Sequence, residues 1–286
     1  MAGMVLNDAF DFKVDLEQRP TRPLPAGRIS IGSAWTAGFG LLIVGVALAC
    51  FAGWIGNSSG EPGISSPLIR ASVIAVVLAV LVVLYDGPLK RTIAAPFLMG
   101  GCRTANILLG ASTFVAPEVI GTTNTLFEGN LLWGLPLIVW WVAFAIGLLI
   151  SGATLLGRDE AVENQSRTPL LAATGIVLLS LIALAFCVYC PVSSYAGALK
   201  VHEPQKTMFP FFIGIMALSI LRRIFEAVTT LKPKAIQMGV VSVLRSLIIF
   251  DAAVCFLAKP EQVSYAICVL ALLVPTLLLG RYMAST

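Results

Sequence analysis

The feature that most constrains this chain is a succession of apolar runs, each close to the length that crosses a bilayer. Eight such segments can be read, at roughly 32–55, 68–85, 93–113, 131–153, 169–190, 208–227, 236–257 and 262–280. A helix rises 1.5 Å per residue, so about 20 apolar residues cover the hydrocarbon core. Only 12% of the 286 residues are charged and 58% are hydrophobic, whereas a soluble domain carries about a quarter charged residues. The pattern predicts an all-α, polytopic membrane helix bundle. A transmembrane barrel would show shorter, alternating segments. Glycine and proline inside several runs are compatible with membrane helices. No linker or internal repeat divides the chain, which reads as one domain over 1–286.

Charge placement gives an orientation. One set of alternate loops holds Lys13, Arg19, Arg22 and Arg28, then Lys90 and Arg91, then Arg158 and Arg167, then Arg222, Arg223, Lys232 and Lys234, and finally Arg281. The opposite set holds only Lys200, Lys206 and Lys259. The positive-inside rule makes the first set, and the C-terminus, cytoplasmic.

The acidic residues of the first set cluster. Residues 7 to 15 read Asn7-Asp8-Ala9-Phe10-Asp11-Phe12-Lys13-Val14-Asp15. On a helix Asn7, Asp11 and Asp15 fall four apart and Asp8 and Asp11 three apart, so all four share one face. Like charges at that spacing repel, and a hard divalent cation offsets the repulsion: Mg²⁺ takes one or two carboxylates together with waters and substrate phosphates. The other reading is a solvated acidic helix end, with Lys13 and the nearby arginines as counter-charges. A second cluster follows in the same set of loops, where Arg158 precedes Asp159, Glu160 and Glu163. Two carboxylate clusters on one membrane face could each hold a Mg²⁺ and grip a diphosphate between them, with basic side chains neutralising the remaining phosphate charge. A histidine-rich metal site is disfavoured, since His202 is the one histidine. The Cys187/Cys190 pair lies in an apolar helix and reads as small-hydrophobe packing.

The order of these motifs resembles the UbiA superfamily of intramembrane prenyltransferases. Residues 7–15 carry NDxxDxxxD, Arg19 to Ser30 carry RPxRPLPxGxIS, and Arg158 to Glu163 carry RDxxxE, with Glu163 standing where the family has aspartate. A family tyrosine–lysine pair has its counterpart in Tyr85-Asp86-Gly87-Pro88-Leu89-Lys90-Arg91, with one extra intervening residue. The resemblance implies helices around a central cavity capped by the acidic loops. It implies Mg²⁺-dependent transfer of a polyprenyl group from a prenyl diphosphate to an aromatic or other lipophilic acceptor, in lipid or quinone biosynthesis. In the family the first motif ends the second helix. Only six residues precede Asn7 here, so the family's first helix is expected to be missing. The helix count would then exceed the family's by one, which makes 208–227, with Pro210 inside it, the candidate for a partial or reentrant segment.

On this reading Asp8, Asp11 and Asp15 hold one Mg²⁺ with Asn7 in support, and Asp159 and Glu163 hold a second. Lys13, Arg22, Lys90, Arg91 and Arg158 contact the diphosphate, with Tyr85 nearby. Arg103 and Asn106, three apart and deep in the 93–113 segment, line the cavity, because a charge that far from the interface needs polar surroundings. Arg245 and Asp251, six apart, face different helix partners. The expected partners are a prenyl diphosphate, a lipophilic acceptor and membrane lipid, with no nucleic acid and no obligate protein. Competing classes are a catalytically degenerate lipid-binding relative, a CDP-alcohol phosphotransferase and a secondary transporter. The two clusters lie too far apart for the second, and no repeat supports the third.

Overall fold

A computed structural model describes residues 1–57, 63, 66–113, 127–128, 131–158, 167–189, 203–258 and 262–284. The chain forms two compact units, 1–135 and 136–286.

The first unit contains α1 (Ala2–Phe10), α2 (Phe12–Gln18), α3 (Ile31–Gly56), α4 (Pro67–Asp86) and α5 (Ala95–Ala111). Helix starts follow local chemistry. Ser30 caps α3 by accepting the Ser33 N–H at 3.1 Å. Ser66 caps α4 by accepting from Ile69 at 3.4 Å, and Pro67 supplies a first-turn residue that needs no N–H partner. The α3–α4 crossing is close because Gly53 has no side chain: a Cβ there would lie 2.8 Å from the Pro67 carbonyl oxygen and 2.9 Å from Leu68 Cα. Helix α1 packs on both, its Leu6 fully buried against Gly38.

Arg70 lies one turn into α4 and is 1% exposed. Its guanidinium donates to the Ser112 carbonyl from Nε (2.9 Å) and Nη2 (2.7 Å), and to the Trp133 carbonyl from Nη1 (3.0 Å). One buried cation thus closes the end of α5 and holds the turn at Trp133–Gly134, where both residues have positive φ. A short antiparallel pair, β1 (Phe127–Glu128) with β2 (Leu131–Leu132), precedes that turn, and β3 (Leu135–Pro136) follows it.

The second unit is organised on α6 (Leu137–Gly157), its most buried span. Helices α7 (Arg167–Phe186) and α9 (Pro233–Ala258) pack on α6, α8 (Glu203–Thr230) joins α7 and α9, and α10 (Val263–Ala271) lies on α9. Gly152 admits Val177 of α7, and Ser180 and Trp141 tie α6 to α7 through the carbonyls of Ala145 (2.8 Å) and Ala183 (2.6 Å). Outward side chains such as Phe211 and Leu218 are apolar, as lipid-facing positions require.

The all-α membrane class is borne out, with differences at particular segments. Six helices among the described residues are long and apolar enough to span. The 93–113 segment is a shorter helix, α5, of 17 residues. The 131–153 segment starts as a helix only at Leu137, because the turn at Trp133–Gly134 and Pro136 occupy its first residues. The 208–227 segment is not shortened: it lies within the 28-residue α8, which is long and apolar enough to span, and Pro210 is its eighth residue. The interruption falls instead in the last segment, between α10 and α11 (Leu273–Ala284), where Pro275 cannot donate to the Ala271 carbonyl. Cys187 is buried, as packing requires, and Cys190 lies outside the described residues. Arg245 is exposed and Asp251 half-buried on α9.

Replacing Arg70 by methionine removes the donors to the Ser112 and Trp133 carbonyls. This should cost about 2–3 kcal/mol of stability, read as a lowered thermal midpoint in detergent.

Candidate active site in the first unit

The acidic motif is stacked by its own backbone. Asp11 N–H donates to Asn7 O, Asp15 N–H to Asp11 O and Arg19 N–H to Asp15 O, each at 2.9 Å. The residues expected to share a face therefore do so, although the helix is interrupted at Asp11, which ends α1 and begins α2.

The proline-rich stretch then folds back. Ala26 donates to Arg22 O (2.9 Å), Gly27 to Leu24 O (3.0 Å) and Arg28 to Pro23 O (3.0 Å), with Gly27 at φ +70°. Glycine reaches that conformation at no steric cost. The turn returns Arg22 to the motif, where Nη1 donates to Asp15 Oδ2 at 2.8 Å and to Asp8 Oδ1 at 3.4 Å. Asp15 is buried, Asp8 half-exposed.

The end of α4 supplies the other cation. Gly87 terminates the helix, and Leu89 N–H reaches back to Leu84 O at 3.0 Å. Lys90 then donates to Asn7 Oδ1 at 2.6 Å and to Asp11 Oδ2 in a short ion pair. Phe10 packs over Gly87, where a Cβ would lie 2.9 Å from the ring, and meets Trp35 edge-on at 4.7 Å, itself stacked on Phe39 at 5.8 Å. Phe39 opens an apolar groove of about 550 Å³ between α3 and α4, lined by Ile43, Val46, Val76, Ala79 and Val83 among others. From Leu84 to Val76 it extends eight residues, about 12 Å along α4.

The structure thus brings together Asn7, Asp8, Asp11, Asp15, Arg22 and Lys90, with Arg22 bridging Asp8 and Asp15 and Lys90 bridging the Asn7 amide oxygen and Asp11. The counter-charges are Arg22 and Lys90; Lys13 is exposed. Tyr85 is half-buried beside them and Arg91 is exposed. On α5, Arg103 is half-buried and Asn106 exposed. Arg158 follows the end of α6 and is exposed. Asp159, Glu160 and Glu163 lie outside the described residues, as do Lys200, His202 and Lys259. Asp86 was not singled out from the sequence, yet it is a buried carboxylate next to this cluster; its place between the tyrosine and the helix-ending glycine was the available signal.

The donor chemistry suits a hard cation, since every ligand offered is oxygen. No three described acidic side chains converge on a ready cation site, so ligation requires Arg22 and Lys90 to yield their carboxylates.

Six membrane-length helices among the described residues mark a multi-pass integral membrane protein, and its charged cluster lies at helix ends beside an apolar groove. The chain belongs to the UbiA prenyltransferase family, whose model matches residues 1–236. It is similar to the digeranylgeranylglyceryl phosphate synthase of Methanoregula boonei (37% identity over 40% of this chain and 33% of that one). It is also similar to that of Methanopyrus kandleri (27% identity over 75% of this chain and 80% of that one). The chain spans about a third of the length of the first curated relatives it matches. A solved chain, described as giving insights into the biosynthesis of digeranylgeranylglyceryl phosphate synthase in membranes, shares the fold. Its TM-score is 0.56 at 18% identity, over 92% of this chain and 81% of that one.

Replacing Gly87 by alanine puts a methyl group into Phe10 and the Val83 carbonyl. It should displace Lys90 from Asn7 and Asp11 while leaving the protein folded. The check is a lost nuclear Overhauser contact between Lys90 and Asn7 in isotope-labelled protein, at an unchanged circular dichroism spectrum.

Proposed function

We propose that this chain transfers a geranylgeranyl group from its diphosphate to a hydroxyl of a glyceryl phosphate lipid, within the membrane and with Mg²⁺. The observation that carries the reading is the seating of Lys90 and Arg22 among Asn7, Asp8, Asp11 and Asp15, beside the apolar α3–α4 groove. The geranylgeranyl and glyceryl phosphate chemistry is suggested by the relatives, both digeranylgeranylglyceryl phosphate synthases.

Asp8, Asp11 and Asp15, with Asn7, would hold one Mg²⁺, and Asp159 and Glu163 a second. When bound, Mg²⁺ supplies neutralisation of diphosphate charge. Lys90 and Arg22 bind diphosphate oxygens and favour the charge that grows on them as the allylic C–O bond breaks. Arg91, Arg158 and Lys13 contribute from the same basic set, and Tyr85, Arg103 and Asn106 line the path of the substrate. The electron pair of the broken bond leaves with the diphosphate. The acceptor oxygen forms the new C–O bond and releases its proton. The α3–α4 groove beds the prenyl chain and excludes water from the allylic centre. The excess of basic residues in these loops supports a cytoplasmic face for the site.

The test is diphosphate release by the purified protein in liposomes. Geranylgeranyl diphosphate would be supplied with glyceryl phosphate carrying one geranylgeranyl chain, with Mg²⁺ or with EDTA. Release should require Mg²⁺ and fall roughly 100-fold or more in D11N. Undiminished release in folded D11N, or turnover only with an aromatic acceptor, overturns the reading.

Ala79→Trp, which fills the groove, should raise KM for geranylgeranyl diphosphate several-fold more than for dimethylallyl diphosphate, since only the longer chain needs the full bed. Steady-state kinetics with the two donors measures this.

A further inference from the structure

The seam between α1 and α4 holds a carboxylate that the proposed reaction does not use. Asp86, the last residue of α4, is 5% exposed, and its Oδ2 has no hydrogen-bond partner among the described residues. Leaving such an oxygen buried and unpaired is costly, so it calls for a reason. Gly3, Asn7 and Asp11 recur every four residues along α1 and its continuation, and all three face this seam. A Cβ at Gly3 would lie 3.4 Å from Asp86 Oδ2. One and two turns on, Asn7 and Asp11 take the Lys90 ammonium. Asp86 is within electrostatic reach of both Lys90, which attracts it, and Asp11, which repels it.

Lys90 therefore stands where a cation is favoured, between an amide oxygen and a carboxylate. A divalent ion that takes Asn7 and Asp11 must displace it. An ammonium forced out of that position would otherwise remain as an uncompensated neighbour of the incoming ion. Four residues back along the same chain lies an open carboxylate oxygen.

We propose that Asp86 is a positioning residue that provides a second seat for the Lys90 ammonium, which moves from Asn7 and Asp11 onto Asp86 when a divalent cation binds. No bond is made or broken. The move keeps each charge paired and leaves Lys90 beside the diphosphate instead of in the cation's place. The ammonium has three donors, so a hydrogen bond to Asp86 leaves others for phosphate oxygens. This inference rests on the cation reading of the site given above.

The experiment is a Mn²⁺ titration of the full chain in detergent, read by electron paramagnetic resonance with no substrate present. Wild type would be compared with D86N, K90M and the double variant D86N/K90M. K90M should bind Mn²⁺ more tightly, because the competing cation is gone. D86N should bind it more weakly, by roughly tenfold, the scale of a coupling between two sites. In the K90M background D86N should have no effect. Gly3→Ser provides a variant that keeps the charge of Asp86: its hydroxyl can donate to Asp86 Oδ2, occupy the seat and reproduce the weakening should D86N not fold. The proposal is overturned if D86N and G3S bind Mn²⁺ as wild type does. It is equally overturned if D86N weakens binding as much in the K90M background, which would make Asp86 a direct ligand. If wild type takes up no Mn²⁺, the cation reading fails and the proposal with it. Uptake by wild type with no Lys90-dependent effect of Asp86 removes the proposal alone.

Discussion

The ammonium of Lys90, held between Asn7 and Asp11, is the contact on which the first unit's charged end depends. It joins the motif helix to the end of α4 across 79 residues of sequence. Without it the spacing that makes the motif useful would work against the helix, because carboxylates three and four residues apart repel. Arg22 does the same for Asp8 and Asp15 from the other side. The two cations make an acidic helix tolerable, and under the proposed function a metal ion would compete with each of them. On the proposed reading, the same charges that pair the motif are those that would meet a diphosphate.

Below that charged end the protein is built for an apolar solvent. Its helices present leucine, isoleucine and phenylalanine outward, and within each unit they approach through missing side chains, as at Gly53 and Gly152. Lipid gives no hydrophobic drive between helices, so close packing and internal hydrogen bonds carry the association. Arg70 shows the second device. Its guanidinium satisfies carbonyls that the end of α5 and the following turn would otherwise leave open in a medium without water. The aromatic run Phe10–Trp35–Phe39 spans both regimes, joining the charged motif to the apolar groove.

Much of the candidate site's local arrangement was legible in the sequence because helical periodicity is local. Intervals of four place Asn7, Asp11 and Asp15 on one face whatever the surroundings, and the glycine after Asp86 marks the end of α4. Pairing was not legible. Spacing made Lys13 as good a counter-charge as the nearby arginines, yet Lys13 is exposed, whereas the turn ending at Gly27 brings Arg22 inward and the fold-back after Gly87 adds Lys90. Asp86 escaped notice because a lone carboxylate at a helix end reads as solvated, and only the packing of α1 over it makes it buried. Arg70 escaped for a similar reason: its partners are backbone carbonyls, which leave no pattern in a sequence.

The sequence by itself determined that this chain is helical and lives in a membrane, since the length and hydropathy of its runs admit little else, and that its charged chemistry gathers at helix ends. Those properties depend on residues near one another in the chain. Tertiary structure alone decided which cation meets which carboxylate, where α5 ends, how α3 and α4 leave a groove between them, and which carboxylate is left with an open oxygen. Each of these depends on groups tens of residues apart, and their distances are set by packing that no local pattern encodes.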